Sequence, residues 1–176
     1  MRAAHRTFAR IAGIALAATA LAGCAPDPAP SAAVTWMNGF CGAVKEFIEG
    51  NNTMTSAGGE TVEAVKKSTS DQLGHYAAIL AKTVDGLRAL PAAPVPAGDT
   101  AKQDFLAKYT SARDKTVKAK ADLDAAGEND TVAQGRAVEG LIAAQKDAYG
   151  ALDPVAAILE APELKTAAAT AERCRP

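Results

Sequence analysis

From Val62 to Leu90 the large side chains keep a rhythm of threes and fours for nearly 30 residues: Val62, Val65, Thr69, Leu73, Tyr76, Leu80, Val84, Leu87 and Leu90, with Ile79 widening the stripe. Steps of three and four put side chains on one face of an α-helix. The spacing therefore predicts a single helix about 40 Å long at 1.5 Å per residue. A stripe of that length needs other long elements to cover it. Gly74 is the point where a bend is tolerated. Pro91, Pro94 and Pro96 must end the helix, because prolines at this density lack backbone donors and disfavour helical dihedrals before them. Residues 91–98 read as a crossover loop.

The same rhythm recurs on either side. From Val34 to Glu49 the apolar positions are Met37, Phe40, Val44, Phe47 and Ile48, with Trp36 beside them and Cys41 on the same face; Gly50-Asn51-Asn52 is a helix stop. After the crossover, Asp99-Thr100 with Gln103 forms a capping-box pattern. Phe105, Leu106, Tyr109, Ala112, Thr116, Ala119 and Leu123 then mark a third helix. Its Asp104–Lys108 and Asp114–Lys118 spacings predict ion pairs one turn apart, and Lys115, Lys118 and Lys120 read as a solvated face. Thr131 with Gln134 repeats the capping-box spacing, and Val132, Val138, Leu141, Ile142, Gln145 and Tyr149 mark a fourth helix. Asp153-Pro154 opens a further segment with Val155, Ile158 and Leu159 inward, and Pro162 restarts the chain before Leu164. One kinked helix and two short ones both fit.

No stretch alternates as a half-buried strand does, and no strand–helix–strand rhythm occurs. The predicted fold class is all-α: an up-down four-helix bundle with a Pro-interrupted last helix. Alanine at many inner positions lets the helices approach closely and leaves little internal volume unless the two long helices splay.

The N-terminus is of a different kind. Arg2, Arg6 and Arg10 precede an apolar run of 12 residues, Ile11 to Ala22, which is too short to cross about 30 Å of hydrocarbon. It ends in Leu21-Ala22-Gly23-Cys24. This resembles the lipobox of a bacterial lipoprotein signal. The resemblance implies that residues 1–23 are removed and that Cys24 carries diacylglycerol and becomes the new terminus. It also implies that the protein is held by lipid, palmitate among its acyl chains, on the extracytoplasmic face of the cell membrane. Residues 24–32, with prolines at 26, 28 and 30, then form a tether, and residues 33–176 the domain.

With Cys24 assigned to lipid, Cys41 and Cys174 remain of the three cysteines, and an even pair in an exported domain reads as a disulfide. First and last helices of an up-down bundle are neighbours, so the pairing and the fold agree. The whole pattern also resembles a class of small actinobacterial lipoproteins: a lipobox, a tryptophan shortly before the first domain cysteine, a leucine-rich helix ending in prolines, and a terminal cysteine. That resemblance implies location and fold and carries over no catalytic residue.

The signal holds three of the 19 basic residues and none of the 20 acidic ones, so the mature part has a net charge near −4 and nothing to attract nucleic acid. Chemistry is sparse. Beyond the signal His75 is the single histidine, which leaves a Ser-His-Asp triad without a nucleophile motif and cannot supply the two Glu-x-x-His motifs of a ferritin-like di-iron site. Asp71 stands one turn before His75, but two ligands make a weak metal site, and a solvated flank is the expected place for both. The expectation is a non-enzymatic, cofactor-free monomer whose helical surface binds a protein or cell-wall partner. The alternative is a carrier of a lipid or small apolar ligand in a cleft between helices lined by Trp36, Phe40, Tyr76, Phe105 and Tyr109. For Trp36 a place in the core competes with that role.

Overall fold

The computed structural model describes residues 31–152 and 155–175. The expected signal, Cys24, the expected tether up to Pro30 and the expected Asp153-Pro154 cap lie outside the described residues. Among those described, six α-helices occur and no strand: α1 Ala32–Asn52, α2 Val62–Arg88, α3 Pro96–Ala125, α4 Thr131–Tyr149, α5 Val155–Glu160 and α6 Pro162–Thr170, with 3₁₀ turns at Gly150–Leu152 and Glu172–Cys174. Consecutive long helices pack on one another, α1 on α2, α2 on α3 and α3 on α4. The segment after α4 lays α5 on α3 and returns α6 and the last turn onto α1. The break in the last stretch is real: α6 starts with Pro162 at its first position.

Local chemistry sets the helix starts. The Ser31 hydroxyl accepts from Val34 N at 3.3 Å and caps α1, and the Thr61 hydroxyl accepts from Ala64 N at 3.1 Å and caps α2, satisfying donors a helix leaves open. The two expected capping boxes are not where the sequence spacing put them. Helix α3 begins earlier, at Pro96, whose fixed φ and missing N–H suit a first turn. Asp99 therefore lies inside the helix and turns back to accept from Ala93 N at 3.0 Å, bracing the crossover loop. In α4 the cap is Asp130, which accepts from Ala133 N at 2.9 Å, while Gln134 donates to the Val62 carbonyl at the start of α2.

The core is a column of rings shared by α1, α2 and α3. Trp36 stacks on Phe40 at 5.2 Å, Phe40 meets Phe105 edge-on at 5.0 Å, and Tyr109 lies 5.9 Å from Phe105 and 5.0 Å from Phe47, which also touches Tyr76. Such offset and edge contacts each add about 0.5–1.5 kcal/mol beyond the area they bury. The Trp36 indole N–H donates to the Pro91 carbonyl at 3.2 Å and so ties the crossover loop to α1.

Helix α4 is rotated from the expected orientation. Val132, Val138, Ile142 and Tyr149 are exposed, and the face turned to the core is Ala133, Ala137, Leu141, Ala144 and Ala148. Small residues win because they let two backbones close up: a Cβ added to Gly140 would sit 2.7 Å from the Ala119 Cβ of α3. The expected ion pairs also differ. Asp104–Lys108 and Asp114–Lys118 are not among the ion pairs of the described residues. Lys118 instead holds Asp122 and Lys120 holds Asp124, both at 2.6 Å, and Asp114 pairs with Arg113. Between helices, Lys115 reaches Asp147 at 2.5 Å with Ser111 on the same carboxylate, and Ser70 reaches Asp124. These contacts hold both carboxyls below the usual range, led by the lysine hydrogen bond in each case.

Cys41 in α1 and Cys174 in the last turn stand at disulfide-bonding distance, with Cα atoms 5.0 Å apart and a sequence separation of 133. On the chain-entropy model a loop of that length stabilises by up to about 5 kcal/mol. Reduction is therefore expected to move the urea unfolding midpoint sharply down, and an unchanged midpoint with dithiothreitol would show that the bridge does not form. The α3–α4 contact makes a second prediction, from two glycines on one helix. Gly140→Val should destabilise by about 1–3 kcal/mol through overpacking. Gly135→Ala, where an added Cβ meets nothing within 4 Å, should stabilise by about 0.4–1 kcal/mol. Equal effects in thermal melts would refute the close approach.

Candidate functional site

Helix α1 carries two adjacent apolar stripes. Ala33, Trp36, Phe40, Ala43 and Phe47 form the buried one, at steps of three and four. Met37, Cys41, Val44 and Ile48 repeat the rhythm one residue further round, and at 100° per residue the two together span an arc of about 160°, wider than the roughly 100° needed to face a core. The second stripe faces the C-terminal segment. There Val155, Ile158 and Leu159 of α5 form an opposite wall, and between the walls lies a cleft of about 530 Å³. Ile158 at its base is buried, whereas Ile48 and Leu159 on its lips are 46% and 48% exposed.

The cleft's polar groups are confined to its margin. Lys45 and Glu49 border it along α1, 4.0 Å apart. Arg173 and Arg175, the neighbours of Cys174, also border it. The backbone N–H of Arg173 donates to Asn38 Oδ1 at 3.0 Å, and its side chain lies over Gly42, where a Cβ would come within 2.6 Å of Nη1; any larger residue would displace it. Arg175 donates to the Thr170 carbonyl at 3.4 Å. Among the described residues neither guanidinium is in an ion pair.

The five residues expected to line a ligand cleft occupy other ground. Trp36, Phe40, Tyr76, Phe105 and Tyr109 are all buried in the core. They are brought together, but against one another, and of the five Phe40 alone borders the cleft. Val44, Ile48, Val155 and Leu159 were legible as apolar positions but not as walls of one hollow. The signal that reveals them is the excess width of the apolar arc on α1. Asp71 and His75 also part company: Lys67 holds Asp71 at 2.6 Å, and His75 Nε2 is 3.2 Å from the Thr53 hydroxyl. Among the described residues no group of three or more His, Cys, Asp or Glu is placed to hold a metal ion, and no helix is long and apolar enough to cross a membrane.

Comparison with family models, with curated proteins and with solved structures gives no match to this chain. The cleft has to be read from its own geometry.

Burial leaves the Tyr76 and Tyr109 hydroxyls without a hydrogen-bond partner among the described residues and pushes both phenols well above their ordinary value of 10.0. A folded-state pKa above the unfolded one stabilises fully below about pH 10, and that stability drains away as pH climbs past it. Ultraviolet titration should therefore show these two phenols ionising only together with alkaline unfolding. Two phenolates formed in a protein that keeps its native circular dichroism would contradict the packed core.

Proposed function

We propose that this chain is a lipid-anchored, extracytoplasmic, non-enzymatic binding module, monomeric and without a cofactor, and that the cleft between α1 and α5 receives an apolar molecule. The observation that carries the reading is the pair of aliphatic walls left open at Ile48 and Leu159 around about 530 Å³, within the 300–1,000 Å³ usual for small-molecule sites. Soluble proteins seldom leave such a surface uncovered without a use for it. We take the scaffold to be an up-down four-helix bundle whose last wall is broken by prolines; the serial packing of α1 to α4 and the return onto α1 support that description. The anchor rests on the lipobox pattern Leu21-Ala22-Gly23-Cys24. Acyl chains contribute about 0.8 kcal/mol per buried CH₂, so two or more suffice for stable attachment. Exposed Val132, Val138 and Ile142 on α4 favour a second reading, contact with a protein or cell-wall partner.

Two measurements test the proposal. Cys24→Ser should release the exported protein from the membrane and remove the acyl mass; a variant still bound and still heavy would end the lipoprotein reading. The full exported chain should retain extra mass in native spectra that disappears on denaturation and is absent from a Val44→Trp variant. If wild type and variant are equally empty, the cleft is not the binding site and the α4 face becomes the leading surface.

A further inference from the structure

We infer that the exposed face of α4 is a contact between two copies of this chain, formed antiparallel where copies are crowded on one membrane. The crowding rests on the lipid-anchored reading above; the contact itself does not.

Spacing is the first argument. Gly135, Val138, Ile142, Gln145 and Tyr149 follow one another at alternating steps of three and four, the seam by which one helix packs along another. The set that α4 buries within the chain is a different one, Ala133, Ala137, Leu141, Ala144 and Ala148. Val138, Ile142 and Tyr149 are exposed, and a Cβ added to Gly135 would meet nothing within 4 Å. The Tyr149 ring is held in place, edge-on to Phe47 and with its hydroxyl accepting from Asn51 Nδ2 at 3.1 Å. One helix thus carries two seams: α3 covers the alanine seam, and the second is open.

Charge is the second argument, and it selects the occupant. Glu139 and Lys146 flank the open seam on one side, both exposed and neither in an ion pair among the described residues. Two copies of a helix paired about a perpendicular two-fold axis run antiparallel, so a residue ahead of the centre on one faces a residue behind it on the other. With the axis midway between Ala143 and Ala144, Val138 meets the partner's Tyr149 and Ile142 meets the stem of the partner's Gln145. Glu139 then faces the partner's Lys146, twice over by symmetry. Sliding one copy by a heptad sets Glu139 against Glu139 in one direction and Lys146 against Lys146 in the other. A single register therefore satisfies the seam and the charges together, and in it the face is complementary to itself.

Size is the third. From Val138 to Tyr149 the seam runs about 16 Å at 1.5 Å per residue. Its few residues fall well short of the roughly 20–30 a side of a standard interface. The contact is weak, and the chain is the proposed monomer in dilute solution. Anchoring on a common membrane raises the effective concentration of one copy for another and populates a contact of this strength.

The test uses the full exported chain in phosphatidylcholine vesicles, with the photoreactive residue p-benzoylphenylalanine in place of Gln145. The expected result is a covalent dimer whose adduct maps to the partner copy around Ile142. Glu139→Lys or Lys146→Glu alone, both at exposed positions, should lower the dimer yield about tenfold, and the two together should restore it. Unchanged circular dichroism shows that each variant folds. Cys24→Ser at the same dilution should stay monomeric, and concentrated to millimolar levels it should give the same adduct. An adduct in concentrated solution but not on vesicles supports the α4 contact and overturns the crowding on a membrane. Absence of the dimer in both settings, adducts on other helices, or single charge reversals as productive as wild type overturns the contact whatever the anchor does.

Discussion

The cleft exists because Cys174 is held against Cys41. Helices α5 and α6 have six and nine residues, well under the 12–15 at which an isolated helix becomes even marginal in water. Their order must come from what they lie on. Ile158 and Leu164 give each a single large buried anchor, and the bridge, with the Arg173 to Asn38 hydrogen bond beside it, fixes the far end onto α1. Between the base at Ile158 and the clamp at Cys41 the segment stands away from Val44 and Ile48, and that gap is the hollow. Without the junction the same residues would be free to collapse onto the second stripe of α1 or to leave it.

Burial and exposure are thereby divided between two stripes of one helix. The rings of Trp36, Phe40 and Phe47 are buried against one another and against Phe105, Tyr76 and Tyr109, with half-exposed Tyr149 edge-on to Phe47 and Phe40 also bordering the cleft. Met37, at the start of the second stripe, is buried with them, whereas Cys41 and Val44 are half-buried and Ile48 is exposed. Around this division, α2, α3 and α4 form a braced block. Asp147 links α4 to Lys115 and Ser111 on α3, and Asp124 links α3 to Ser70 on α2. Pairs this exposed contribute little energy each, but they fix the register in which the alanine faces meet.

Several of these features were open to reading in the sequence because one residue type or one period settled them. The stripe from Val62 to Leu87 admitted only a long helix, and the counting of cysteines led to Cys41 with Cys174, which the geometry brings to bonding distance. What escaped was decided by competition between similar options. Thr100 and Thr131 each had a capping partner at the right spacing, but Pro96 started α3 a turn earlier and Asp130 outcompeted its neighbour. In α4 the valines outweighed the alanines on any hydrophobicity count, while the closeness that alanine and Gly140 allow at Ala119 decided the rotation. The cleft was hidden for a related reason: Trp36, Met37, Phe40, Cys41, Val44, Phe47 and Ile48 read as one apolar face of α1, and nothing local says that the face is divided.

That division explains why an aliphatic lip is retained where burial was available. Leu159 is adjacent in sequence to fully buried Ile158, and Ile48 to fully buried Phe47, so a rotation of either helix by one residue would have covered them. Each is instead about half exposed, leaving apolar surface in water at a cost of about 25 cal/mol per Å². The core holds both helices in that orientation, since turning Phe47 out would sacrifice its contacts with Tyr76 and Tyr109. The exposure is therefore a fixed property of the fold, and a ligand that covers it recovers hydrophobic free energy without rearranging anything beneath. On the proposed reading the site is preformed: its walls are set by packing that binding would not touch.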